Sequence, residues 1–142
     1  MTLQNLEMSA KEAFSALAQG DLFIDVRSEI EFQGSHFSNS LNLPLLNSSE
    51  RAEVGLIYKT EGQAAAIACG HQLVSGEKRQ ERTELWLKAV TNGARGLFCA
   101  RGGLRSKIAC EGIRERRLPL PRVEGGYKAL PFLHRPLLSD PS

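Results

Sequence analysis

Residues 96–106 read Gly96-Leu97-Phe98-Cys99-Ala100-Arg101-Gly102-Gly103-Leu104-Arg105-Ser106. Gly96 to Cys99 is a short apolar run, Ala100 to Leu104 a loop, and Arg105 to Arg117 an amphipathic helix. A strand apolar on both faces that feeds a helix belongs to a parallel sheet buried on both sides. In open α/β sheets ligands bind beyond the carboxyl ends of the strands, which is where Cys99 falls. Glycine backbones let successive N–H groups converge on one point. The start of a helix adds its positive end, and Arg101 and Arg105 add charged, paired donors. All of these favour negative charge, so the segment predicts Cys99 as a thiolate in an anion-binding loop formed by Ala100, Arg101, Gly102, Gly103, Leu104 and Arg105. Such a group suits attack on sulfur, selenium or phosphorus carried by an oxyanion. The plainer alternative is a buried cysteine closing a core strand, but packing alone requires neither the two glycines nor the two arginines.

The pattern continues outward. Ser9 followed by Glu12 reads as a capping box and Gly20 as a helix stop, with Ala13, Phe14, Leu17 and Ala18 on one face between them. Leu22-Phe23-Ile24-Asp25-Val26 and Leu41-Asn42-Leu43 read as strands. Ser48 to Tyr58, capped by Ser48 or Ser49, reads as a helix, as do Glu61 to Leu73 and, beyond Gly76, Glu77 to Val90. Leu85, Trp86, Ala89 and Val90 are expected to supply the apolar contacts of the last. Arg122-Val123-Glu124 is a further strand, ended by Gly125-Gly126. Strands alternating with helices predict a mostly parallel central sheet of about five strands with helices on both faces. Residues 1–130 form the domain, with a helical insertion at about 48–92. The tail from Pro131 to Ser142 holds Pro131, Pro136 and Pro141 and is expected to be disordered or extended.

The chain has 142 residues, enough for one domain that folds without disulfide or metal. With 42% hydrophobic and 24% charged residues it has the composition of a soluble globular protein. No apolar run approaches the roughly 20 residues of a membrane span. The start MTLQNLEMSAKEAF is not a secretory signal, which makes the cytoplasm the expected compartment. Cys69, Cys99 and Cys110 lack metal-ligand spacing and are expected to be free thiols, with Cys69 in the core and Cys110, mid-helix, either core or a bystander. A net charge of +2 does not by itself imply nucleic-acid binding. Its distribution is uneven: Arg101, Arg105, Lys107, Arg114, Arg116, Arg117 and Arg122 crowd around Cys99, either as a phosphate-binding patch or as a solvated basic helix.

Five residues separate Cys99 from Arg105. That is the spacing of phosphatases that form a cysteinyl phosphate, and it is one residue longer than the usual single-chain sulfurtransferase loop. By spacing alone the cysteine phosphatase reading is viable; a stand-alone sulfurtransferase and a non-catalytic module that grips an anion stay open beside it.

Two flanking motifs add a resemblance. Asp25-Val26-Arg27, Glu31-Phe32, Gly34-Ser35-His36-Phe37 and Asn42-Leu43-Pro44 resemble the opening signature of the rhodanese superfamily, and Val123-Glu124-Gly125-Gly126-Tyr127 its closing one. Cys99 to Ser106 and Arg122 to Ala129 resemble the rhodanese domain of the tRNA 2-selenouridine synthases. So do Glu50 to Gly55, Tyr58-Lys59, Gly62 and Gly70-His71-Gln72-Leu73-Val74. The resemblance implies a transferase that replaces the sulfur of wobble 2-thiouridine in tRNA by selenium. Selenophosphate is the donor, and a geranylated thiouridine made from geranyl diphosphate is the intermediate. Cys99 would be the residue of the selenium step, and Arg101 and Arg105 the positive side chains around the donor's phosphate-like part. Asp25, Arg27 and Glu31 would form an internal charge and hydrogen-bond set supporting the loop. His36 and Trp86 would be packed residues, while Tyr127 and Lys128 would line the site or pack at the strand end. No metal and no bound cofactor are implied. The family continues into a P-loop domain, G-x-x-x-x-G-K-[S/T]. Nothing in this sequence matches it, so geranyl transfer and tight tRNA binding are expected only of a longer parent chain.

Overall fold

The computed structural model describes residues 6–101 and 103–130. Gly102 and the tail from Pro131 to Ser142 lie outside the described residues. In chain order the elements are β1 (Glu7–Met8), α1 (Ala10–Ala18), β2 (Phe23–Asp25), α2 (Glu29–Gly34), β3 (Ser40–Asn42) and α3 (Ser48–Glu61), then α4 (Gln63–Leu73), α5 (Gly76–Thr91), β4 (Gly96–Phe98), α6 (Leu104–Glu115), β5 (Arg122–Val123) and α7 (Gly126–Ala129). The strands form one five-stranded sheet in the order β1-β5-β4-β2-β3, and every pairing is parallel.

Strand alternation divides the core into two layers. Ile24, Val26, Leu97 and Cys99 face one way and meet Trp86 and Ala89 of α5 and Ala109 and Ile113 of α6. Phe23, Phe98, Val123 and Met8 face the other way and meet Ala13 and Leu17 of α1, Phe37 and Tyr127. This is the expected α/β architecture, a rhodanese-like fold with helices on both faces of the sheet. Gly96 sits where its neighbouring strands crowd in, since a Cβ there would lie 3.0 Å from the Phe23 ring of β2 and 3.1 Å from the Pro121 carbonyl just before β5.

Local chemistry sets the helix starts. Ser9 caps α1, its Oγ accepting the Glu12 N–H at 3.1 Å. The cap of α3 is Asn47, one residue ahead of the expected Ser48: Asn47 accepts the Glu50 N–H at 2.8 Å and Glu50 accepts the Asn47 N–H at 2.9 Å. Three elements went unread in the sequence: β1, α2 and α7. Two of them are too short to carry a periodicity, but α2 did have a signal in Ser28-x-x-Glu31, which forms a full capping box.

Two expected core residues are elsewhere. Leu85 is 51% exposed, because Trp86 and Ala89 are the residues of α5 that turn inward. Cys69 is half-buried, because α4 has only Ala66 buried and α3 only Glu50. These two helices pack mainly on each other and form one wall of a cavity.

Candidate active site around Cys99

Cys99 follows β4 directly, at the carboxyl edge of the sheet. Its position is fixed through its backbone. The Cys99 carbonyl accepts the Tyr127 N–H at 2.8 Å, and the Ala100 carbonyl accepts the Lys128 N–H at 2.8 Å. Both donors lie in the first turn of α7, where N–H groups lack intrahelical partners, so the short helix spends its free end on the cysteine loop. The chain reaches this arrangement through Gly125, whose φ is +76° and where a Cβ would lie 2.5 Å from that of Ala129. Tyr127 therefore reaches the site through its backbone, while its ring is buried in the opposite core layer.

The opening and closing motifs interlock. The Tyr127 hydroxyl hydrogen-bonds the Ser35 hydroxyl at 2.8 Å, and the Arg27 guanidinium lies 3.9 Å above the Tyr127 ring. Arg27 Nη2 donates to the Ser35 carbonyl and to Asp25 Oδ2, each at 2.8 Å, and Arg27 Nε donates to both Asp25 oxygens. Asp25 is fully buried, and burial pushes its carboxyl upward in pKa against the pull of Arg27.

Glu31 stands apart from that pair. It accepts from Arg105 Nη1 at 2.7 Å and from Nη2 at 3.2 Å. Burial disfavours the Glu31 charge, but the Arg105 guanidinium and the Ser28 donors outweigh it and hold its pKa at about 2. Burial also works against the Arg105 charge, yet Glu31, with further pulls from Cys99 and Asp25, raises the Arg105 pKa overall. The expected set of Asp25, Arg27 and Glu31 is thus two separate pairs. One ties the end of β2 to the Ser35 carbonyl and the Tyr127 ring, and the other holds Arg105.

Helix α6 begins with Gly103 as N-cap, and its first intrahelical bond runs from the Lys107 N–H to the Gly103 carbonyl at 3.3 Å. The N–H groups of Leu104, Arg105 and Ser106 precede that bond and carry the positive end of the helix. Cys99 is only 2% exposed, yet the residue lines a cavity of about 830 Å³. Leu45, Leu46, Val54, Ala66, Ile67 and Ile108 make most of the wall apolar, and Arg51, Lys59, Arg101 and Arg105 bring positive charge. Arg51 and Lys59 come from α3, and nothing in the local sequence placed them beside Cys99.

The basic cluster read along the chain does not form one patch. Arg105 pairs with Glu31, Arg116 with Glu84 at 2.6 Å and Arg122 with Glu7 at 3.3 Å. Cys110 is buried on α6, and burial pushes its thiol up to about 12. Trp86 is core, its Nε1 donating to the Leu43 carbonyl at 2.8 Å. His36 stacks on Phe32 at 3.8 Å. Among the described residues, no group of three or more His, Cys, Asp or Glu could hold a metal ion, and no helix is long and apolar enough to cross a membrane.

No protein-family model matches the chain. Individual relatives do. It is 50% identical over 108 residues to the tRNA 2-selenouridine synthase of Serratia proteamaculans, covering 75% of this chain and 29% of that protein. It is 44% identical over 131 residues to that of Shewanella denitrificans, covering 92% of this chain and 35% of that protein. This chain is homologous to the N-terminal region of the tRNA 2-selenouridine synthases. It spans about a third of the length of the curated relatives it matches. Among solved structures it is similar to the "N-terminal domain of putative ATP/GTP binding protein from Clostridium difficile 630". The identity is 32% and the TM-score 0.73, with 87% of this chain and 94% of that one covered.

Proposed function

We propose that this chain is the chalcogen-transfer domain of a tRNA-selenating enzyme and that Cys99 is its reacting residue. In this reading a longer parent protein replaces the sulfur of wobble 2-thiouridine in tRNA by selenium, with selenophosphate as donor. The observation that carries the proposal is the seating of Cys99. The residue lines the cavity together with Arg105 and the start of α6, while its backbone is pinned from behind by α7. A nucleophile with fixed geometry beside preorganised donors suits transfer from an oxyanion-bearing donor. The loop Ala100 to Arg105 would hold the oxyanion, and the apolar wall would accept the geranyl chain of a geranylated thiouridine. Geranyl diphosphate and tRNA remain substrates of the parent protein, whose P-loop domain would supply most of the tRNA contact.

Thiosulfate provides a simple test of the cysteine. Attack by the Cys99 sulfur on the outer sulfur forms a persulfide, breaks the S–S bond and releases sulfite. Intact-protein and peptide mass spectrometry after incubation with thiosulfate or selenophosphate should show a Cys99 adduct that is absent in Cys99→Ser. A protein unmodified by both donors would remove the basis for the proposal. The phosphatase alternative is disfavoured by the site itself. Such enzymes use a general acid for the leaving group. Among the described residues lining the cavity there is no Asp, Glu or His, and nearby Glu31, with a pKa near 2, holds no proton at neutral pH.

A further inference from the structure

Glu31 makes more contacts than its helix requires. As the third residue of α2 it completes the capping box, accepting the Ser28 N–H at 2.9 Å and the Ser28 hydroxyl at 3.0 Å. A glutamine would do the same. Yet the carboxylate also takes both Arg105 amino groups and lies 3.4 Å from Arg51 Nε. One acidic group on α2 therefore joins the first turn of α6 to the first turn of α3. Both arginines line the Cys99 cavity. Arg105 is held in the less exposed place, its side chain 19% exposed against 50% for Arg51.

We propose that Glu31 is the resident counter-anion of the Cys99 cavity and sets which anions enter it. This rests on the reading of the Cys99 loop as an anion seat. With Glu31 in place, an arriving anion must compete with a bidentate carboxylate for Arg105. A compact monoanion offers too little charge to do so. A terminal oxyanion with two charges and three oxygens can take Arg105, Arg101 and the α6 amides together. Glu31 is thus a positioning and specificity residue that acts through Arg105.

The test is amide NMR titration of the Leu104–Lys107 segment with inorganic phosphate at pH 8 and, separately, with nitrate. The wild type should bind phosphate and ignore nitrate. Glu31→Gln, which keeps the cap, should bind phosphate about tenfold more tightly and acquire measurable nitrate binding. Adding Arg105→Gln should abolish the gain. If Glu31→Gln fails to fold, Glu31→Asp, whose shorter side chain loosens the hold on Arg105, should show the same trend at smaller size. Equal phosphate affinity in wild type and the folded variant, or no response of these amides in either, would overturn the proposal. Neither ion carries a transferable chalcogen, so the titration is independent of the mass-spectrometric test of Cys99.

Discussion

Gly125→Ala should loosen the Cys99 loop from behind without touching the cavity. The φ of +76° at this position costs an L-residue about 1–2 kcal/mol. The added Cβ would also sit 2.5 Å from the Cβ of Ala129, one turn along the same short helix. That overlap is relieved only by shifting α7, whose Tyr127 and Lys128 amides hold the Cys99 and Ala100 carbonyls. Leaving one such buried carbonyl unpaired costs about 1–3 kcal/mol. The combined destabilisation is about 3 kcal/mol, equivalent to a fall in Tm of about 10 °C for a domain of this size. Urea denaturation followed by far-UV circular dichroism, with calorimetry for Tm, measures it. Gly125→Ala combined with Ala129→Gly removes the overlap but keeps the unfavourable φ, so it should recover only part of the loss. A single variant within about 0.5 kcal/mol of wild type would refute the claim that α7 holds the loop through this turn.

Other consequences follow from the buried ion pairs and thiols. Arg27→Met leaves Asp25 ionisable, buried and without its partner, and should cost about 3–5 kcal/mol in urea melts. Asp25→Leu added to Arg27→Met should recover part of that. Glu31 has a pKa lowered from 4.5 to about 2 in the folded chain. Its contribution is therefore fully present above about pH 4.5 and is lost as the pH falls towards 2. The shift corresponds to about 3 kcal/mol, cut to about 1–2 by solvent reaching this partly buried carboxylate. Acid titration of Glu31→Gln should accordingly show a flatter loss of stability over that window than wild type. Cys110, with its thiol pushed up to about 12, has about one thiolate in ten thousand at pH 8. Under native conditions iodoacetamide should label it at least about a hundredfold more slowly than half-buried Cys69, as peptide mapping would report.

The sequence alone determined the local parts: the strands at 22–26 and 96–99, the capped first helix, and the strand–loop–helix segment that brings Cys99 to a sheet edge. These follow from periodicity and from side chains that act on their own backbone within three or four residues. The partnership of distant segments lay beyond it. That α7 hooks the Cys99 loop, that Tyr127 reaches back to Ser35, and that Glu31 holds Arg105 are contacts between residues 28 to 92 positions apart, decided by which strands sit side by side in the order β1-β5-β4-β2-β3. Arg51 and Lys59 entered the cavity, and Leu85 left the core, for the same reason. Helical spacing fixes which residues share a face, but only packing decides what that face meets.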